Sequence, residues 1–192
     1  MIPLSKQEGI MNRSLVVVAA LLCATSGASM AQDTATSAQS ATNAQSNAAA
    51  KDFVEQAGTS GLAEVEMGEL GAKKATNGQV KAFAKRVVAD HTKANEELVT
   101  ASKGKGVQVP SSRTSMHKAT IEKFQQQEAG KSFDRDYMEQ MVEDHKAAVE
   151  LFETAADDEK LDLDLRTYAK RVLPTLRDHL KQAQAIQSKL AG

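Results

Sequence analysis

Val80-Lys81-Ala82-Phe83-Ala84-Lys85-Arg86-Val87-Val88-Ala89-Asp90-His91-Thr92-Lys93-Ala94-Asn95-Glu96-Glu97-Leu98 is the stretch that decides the fold. Apolar and small residues recur at Val80, Ala84, Val87, Ala94 and Leu98 in helical steps, with charged and polar residues filling the positions between. A helix with one buried face satisfies this pattern and a strand does not. His91 stands on the same stripe, where an apolar residue belongs. Asn77 is the expected cap of this helix, which should run to about Lys103.

The segments on either side repeat the pattern. From Asp52 to Ala75 the stripe is Val54, Ala57, Gly61, Val65, Gly68, Ala72 and Ala75. Gly58-Thr59-Ser60-Gly61 should break its first turns, so that the regular helix begins near Ser60. Small residues at Gly61, Gly68 and Ala72 admit a close neighbouring helix, and Glu64 among them faces a crevice. Downstream, Gly104, Gly106 and Pro110 form a loop, after which Ser111 or Ser112 caps a shorter helix carrying His117, Ile121 and Phe124. A fourth helix starts at Lys131, with the stripe Tyr137 or Met138, Met141, His145, Ala148 and Phe152. A fifth, capped by Asp162, carries Leu165, Ala169, Val172, Leu176, His179, Ala183, Ile186 and Leu190. Pro174 should kink it about one turn before His179. The domain is therefore all-α, a bundle of four long helices with one additional shorter helix.

The N-terminal region reads differently. Met11-Asn12-Arg13 opens a positively charged start, an apolar run follows from Leu15 to Ala24, and Ser29-Met30-Ala31 supplies small residues for cleavage. Residues 1–31 are thus expected to be a secretory signal peptide, with translation starting at Met1 or Met11. The apolar run, about ten residues, falls short of the roughly 20 that cross a bilayer, so no transmembrane segment is expected after cleavage. Cys23, the single cysteine, lies within this leader. Disulfides, zinc-thiolate sites and cysteine nucleophiles are thereby excluded from the mature chain. Residues 32–50 hold only Gln, Asp, Thr, Ala, Ser and Asn and should form a disordered linker. Residues 51–192 remain, about 140 residues, the size of one domain. A net charge of −1 without a basic patch argues against nucleic acid and anionic membrane. A homo-oligomer or an envelope partner stays open.

The candidate site is a dipeptide that occurs three times, as Asp90-His91, Asp144-His145 and Asp178-His179, in a chain with four histidines in all. Their helices are separate, so the three imidazoles can meet only in the bundle core. Imidazole suits Zn, Cu or Fe, and carboxylate suits Fe, which makes His91, His145 and His179 with Glu64 a candidate mixed metal site. Adjacent helical residues point about 100° apart, so Asp90, Asp144 and Asp178 are read as outer partners of the ligands or as stripe-edge residues. The competing reading is that of core histidines satisfied by Asp, backbone or water. His117 reads as a surface or capping residue, and Met138 and Met141 as core. Phosphate loops, a nucleophile elbow and HExxH are absent, so no catalytic residue is assigned.

With these residues in view, the chain resembles the ferritin-like domain-of-unknown-function family 4142, exported bacterial proteins often labelled periplasmic or outer-membrane. The resemblance rests on Gly61-Leu62-Ala63-Glu64-Val65-Glu66-Met67-Gly68, on Phe83 to His91, on Phe133-Asp134-Arg135-Asp136-Tyr137 with Asp144-His145, and on Leu173-Pro174 with His179. It implies a ferritin-like bundle in the cell envelope. Di-iron members of that fold carry Glu-x-x-His. Here Val88, Val142 and Leu176 stand three residues before the histidines, a departure from that pattern that puts ferroxidase chemistry in doubt. Two main functional readings follow: an exported bundle that binds a metal in its core, and a metal-free envelope stress or interaction protein with structural Asp-His pairs. A third is a pH-responsive bundle that opens as its histidines protonate.

Overall fold

The computed structural model describes the backbone of residues 28–191 and the side chains of residues 43–191. Its helices are α1 (Ala28–Lys74), α2 (Gly78–Ala101), α3 (Ser115–Gln126), α4 (Lys131–Asp157) and α5 (Leu163–Ala191), and no strand occurs among the described residues. The chain divides into two units between Ala38 and Gln39. In the first the described residues are helical, and the second holds the bundle. The leader expected at 1–31 lies outside the described residues except for its last four, which belong to α1. None of the described helices is long and apolar enough to cross a membrane.

α1 corrects two expectations. Residues 32–50, expected as a structureless linker, are helical. They contain no Gly or Pro and much alanine, the strongest helix former, and Ala50 is already buried against the core that Phe53 and Val54 enter. Nor does Gly58-Thr59-Ser60-Gly61 interrupt the helix. Thr59 Oγ1 donates to the Glu55 carbonyl at 2.8 Å, a bond compatible with helical backbone. The glycines serve close packing: a Cβ on Gly58 would lie 2.7 Å from Pro110 Cδ, one on Gly68 would lie 2.7 Å from Val88 Cγ2, and one on Gly61 would collide with the Asn95 side chain.

The caps follow local chemistry. Asn77 Oδ1 accepts from Gln79 N at 2.8 Å, as its place ahead of the α2 stripe predicts. For α3 the cap is Thr114 rather than Ser111 or Ser112, with its hydroxyl accepting from His117 N at 3.2 Å. Asp162 accepts from Asp164 N at 2.9 Å at the start of α5, which continues through Pro174.

Contacts between helices fix their directions. Gly61 meets Asn95 and Gly68 meets Val88, so α1 and α2 are antiparallel. Phe53 meets Phe152 while Gly71 meets Tyr137, so α1 and α4 are antiparallel as well. α5 runs opposite to α2 through Asp90–His179 and Glu97–Arg171, and opposite to α4 through His145–His179 and Phe152–Tyr168. α2 and α4 are therefore parallel, and the connection carrying α3 must return the chain along the bundle. A four-helix bundle with one such crossover is the ferritin-like arrangement.

The core has two apolar parts. One gathers Met67, Val80, Phe83, Val87, Met138 and Met141 around Phe124, Phe133 and Tyr137, with the last two rings stacked at 5.8 Å. The other gathers Val54, Leu98, Leu165 and Leu176 around Phe53, Phe152 and Tyr168. Each such side chain, fully buried, contributes roughly 1.5–3 kcal/mol. Two polar clasps hold the first part shut. Lys74 Nζ, at the end of α1, donates to the Phe124 and Gln125 carbonyls at 3.0 and 2.8 Å, capping the end of α3 with a cation. Asp134, buried in α4, accepts from Thr76 N (3.0 Å), Thr76 Oγ1 (2.5 Å) and Asn77 N (2.8 Å), and so pins the α1–α2 turn.

Removing that acceptor should show in stability. Asp134→Ala strands two backbone donors and is expected to cost about 2 kcal/mol, whereas Thr76→Val, which deletes only the hydroxyl, costs about 1 kcal/mol. Urea unfolding of the two variants measures both.

Candidate metal centre

The stripes that build the core also deliver the site. On α2, His91 lies between Val87 of the first apolar part and Leu98 of the second; on α4, His145 lies between Met141 and Phe152; on α5, His179 lies between Leu176 and Ala183. All three imidazoles are buried, and one ring nitrogen from each lies within 4.8 Å of the others. The rings of His91 and His179 stack at 5.6 Å, and Phe83 stands 6.0 Å from both His145 and His179. The three positions singled out by the repeated dipeptide thus meet in space.

Hydrogen bonds define which nitrogens carry protons. His145 Nδ1 lies 2.9 Å from the Met141 carbonyl, which can only accept, so the proton is on Nδ1 and Nε2 is bare in the neutral ring. His179 Nε2 lies 2.9 Å from Asp90 Oδ2, the oxygen that also accepts from Arg86 Nε at 3.3 Å. That proton is on Nε2, and Nδ1 is bare. The two bare nitrogens, His145 Nε2 and His179 Nδ1, face one another at 3.3 Å. His91 Nε2 is buried with no hydrogen-bond partner at all.

Facing lone pairs in a low-dielectric interior require something electrophilic, a proton or a metal cation. Burial works against the proton. It holds His91 well below the ordinary imidazole value, with the neighbouring imidazoles adding to the effect, and holds His145 at about 4. His179 is also lowered, burial outweighing the favourable Asp90 carboxylate. The geometry fits the cation. Two nitrogens each about 2.0–2.1 Å from a tetrahedral metal lie roughly 3.3 Å apart, and each ring already donates its other N–H to a carbonyl or carboxylate, as metal-bound histidines do. A buried cluster able to coordinate a metal ion is present.

Glu64 is not among the donors within that 4.8 Å set. Its helix packs on α2 through Gly61 against Asn95 and Gly68 against Val88, which brings Glu64 to the level of His91. It is buried, and its Oε2 has no partner. Burial, and then the charge of Asp144, raises its carboxyl well above the ordinary value. Tyr137 hydroxyl, also buried without a partner, is raised by burial and by the charges of Glu64 and Asp144.

The three aspartates do not play the same part. Asp90 serves the histidine of another helix, His179. Asp178 accepts from Arg86 at 2.7 Å and from Gln182 at 3.1 Å, and Asp144 accepts from Gln140 at 2.9 Å. Burial lifts Asp144 to about 6. His117 lies apart from the cluster, at the start of α3, where its backbone N–H completes the Thr114 cap. Arg86 and the Met141 carbonyl were assigned no role from the sequence, Arg86 appearing there only as part of the Phe83 to His91 stretch. The only signal was positional, because both stand four residues before a member of an Asp-His pair.

The DUF4142 family, described as a domain of unknown function, matches residues 34–186. Among solved structures, one described as the crystal structure of a DUF305 fragment from Deinococcus radiodurans is similar in fold, with a TM-score of 0.63 at 11% identity, over 73% of this chain and 96% of that one. A comparison with curated proteins gave no match.

The buried carboxyl yields a sign-definite prediction. Because the folded state raises Glu64 above its ordinary 4.5, its contribution is full below that pH and is lost as pH rises. In chelator-treated protein, Glu64→Gln is therefore expected to raise the melting temperature at pH 7 by about 2–4 °C, the effect of roughly 1 kcal/mol in a domain of this size. The gain should shrink toward zero at pH 4. Thermal melts of both proteins across that range measure it.

Proposed function

We propose, from the premise that the chain belongs to the DUF4142 family, that it is an exported helical-bundle protein binding one transition-metal ion through His91, His145 and His179, with Glu64 as fourth ligand. The observation that carries this reading is the pair of bare imidazole nitrogens 3.3 Å apart in the core. The partnerless Nε2 of His91 and Oε2 of Glu64 support it, since two further donors lie buried without other use. Export is supported by the charged start, apolar run and small-residue site of Met11 to Ala31.

A set of three imidazoles and one carboxylate, without thiolate, favours zinc or copper over iron, which takes more oxygen donors. When bound, such an ion supplies a Lewis acid or, for copper or iron, a one-electron redox centre. The chain's own part is to fix the rings through the Met141 carbonyl and Asp90 and to keep water out with Phe83 and the flanking apolar residues.

A second reading has its own observation. The His179–Asp90 hydrogen bond joins α5 to α2 without a metal, and an envelope interaction protein with such a structural clasp would need no ion.

Metal titration separates the two. Chelator-stripped protein should take up one Zn²⁺ or Cu²⁺ per chain and gain about 2.7 kcal/mol of stability when free metal is 100-fold above Kd. His145→Ala should weaken binding by more than about 100-fold, beyond the roughly 10–100-fold typical of losing an outer partner. The His91→Ala/His145→Ala/His179→Ala variant should bind none. A wild-type melting temperature indifferent to metal and chelator favours the clasp instead.

A further inference from the structure

Asp90 on α2 and Asp178 on α5 share one cation. Arg86 Nε donates to Asp90 Oδ2 at 3.3 Å, and its terminal nitrogen donates to Asp178 Oδ2 at 2.7 Å. Asp178 is held in turn by Gln182 at 3.1 Å. Arg86 thus links the acid beside His91 on α2 to the acid beside His179 on α5. Asp90 is partly exposed, so without that restraint water and alternative rotamers compete for its carboxylate. Its Oδ2 is the oxygen that receives the His179 Nε2 proton.

We propose that Arg86 is a positioning residue for the histidine centre: by holding Asp90 against His179 Nε2 it keeps the His179 proton on that nitrogen and turns a bare Nδ1 toward His145. The fork geometry of guanidinium suits this task, since one planar group must satisfy two carboxylates in fixed directions. One guanidinium between two carboxylates also leaves a net negative charge beside the site, which suits an incoming cation. The tautomer follows from the metal-free geometry. Its consequence for affinity rests on the metal reading above, and the experiment treats the two separately.

The test uses the full chain, ¹⁵N-labelled in histidine, stripped of metal at pH 7. Wild type should show His179 as the Nε2–H tautomer by its imidazole ¹⁵N shifts. Arg86→Ala should move those shifts toward a mixture of tautomers, while Arg86→Lys, which keeps a cation without the fork, should fall between. In a Zn²⁺ competition assay, Arg86→Ala should lower affinity by about 10-fold, the lower end of the range for losing an outer partner. If Arg86 acts through Asp90, that loss should vanish when Asp90→Asn is already present. An unchanged His179 tautomer in Arg86→Ala, or an undiminished affinity loss in the Asp90→Asn background, overturns the proposal. A wild type with the stated tautomer that takes up no Zn²⁺ sinks the metal reading and leaves the positioning role standing.

Discussion

The structure depends on one constraint: a layer of imidazole and carboxyl groups is buried between two apolar parts of a single bundle. Burying such groups costs free energy unless each finds a partner, and here some do not. His145 and His179 spend their N–H protons on Met141 and Asp90, which leaves their lone pairs facing each other across 3.3 Å. Every helix of the four-helix core brings one member of this layer, so the layer forms only when all four pack. The apolar parts on either side, one with four aromatic rings and the other with three, supply the burial that offsets it.

That arrangement explains features that look unrelated along the chain. Glycines at 61 and 68 are needed because α2 presses against α1 at the level of Glu64, where a Cβ would strike Asn95 or Val88. Asp134 and Lys74 close the turns at one end and hold the helices in the register on which the nitrogen distances depend. Arg86 ties α2 to α5 directly outside the layer. A shift of one residue in any pair of helices would carry an imidazole about 100° around its axis and out of the cluster.

The identical dipeptides conceal a division of labour. Asp90 holds a histidine on another helix, Asp178 holds an arginine, and Asp144 meets a glutamine while adding its charge to the burial that raises the Glu64 carboxyl. An aspartate next to a histidine in sequence points about 100° away from it on a helix, so its partner must come from elsewhere. What the repeat records is the placement of the histidines. The acids were recruited by whichever neighbour each helix face met.

Sequence alone determined the helical class, the stripes, the Asn77 cap and the three histidines on core positions, because periodicity, capping and burial are local or one-dimensional properties. It misjudged residues 32–50 and the Gly58–Gly61 step, where local signals for disorder and for helix breaking lost to alanine propensity and to the close approach of Pro110 and Asn95. Which nitrogen of each ring is free, which aspartate serves which histidine, and that Arg86 joins two of the acids were decided only by tertiary structure. The physical reason is that a pair of facing nitrogens 34 residues apart and a hydrogen-bonded pair 89 residues apart are both set by the register of packed helices, and no pattern within one helix encodes that register.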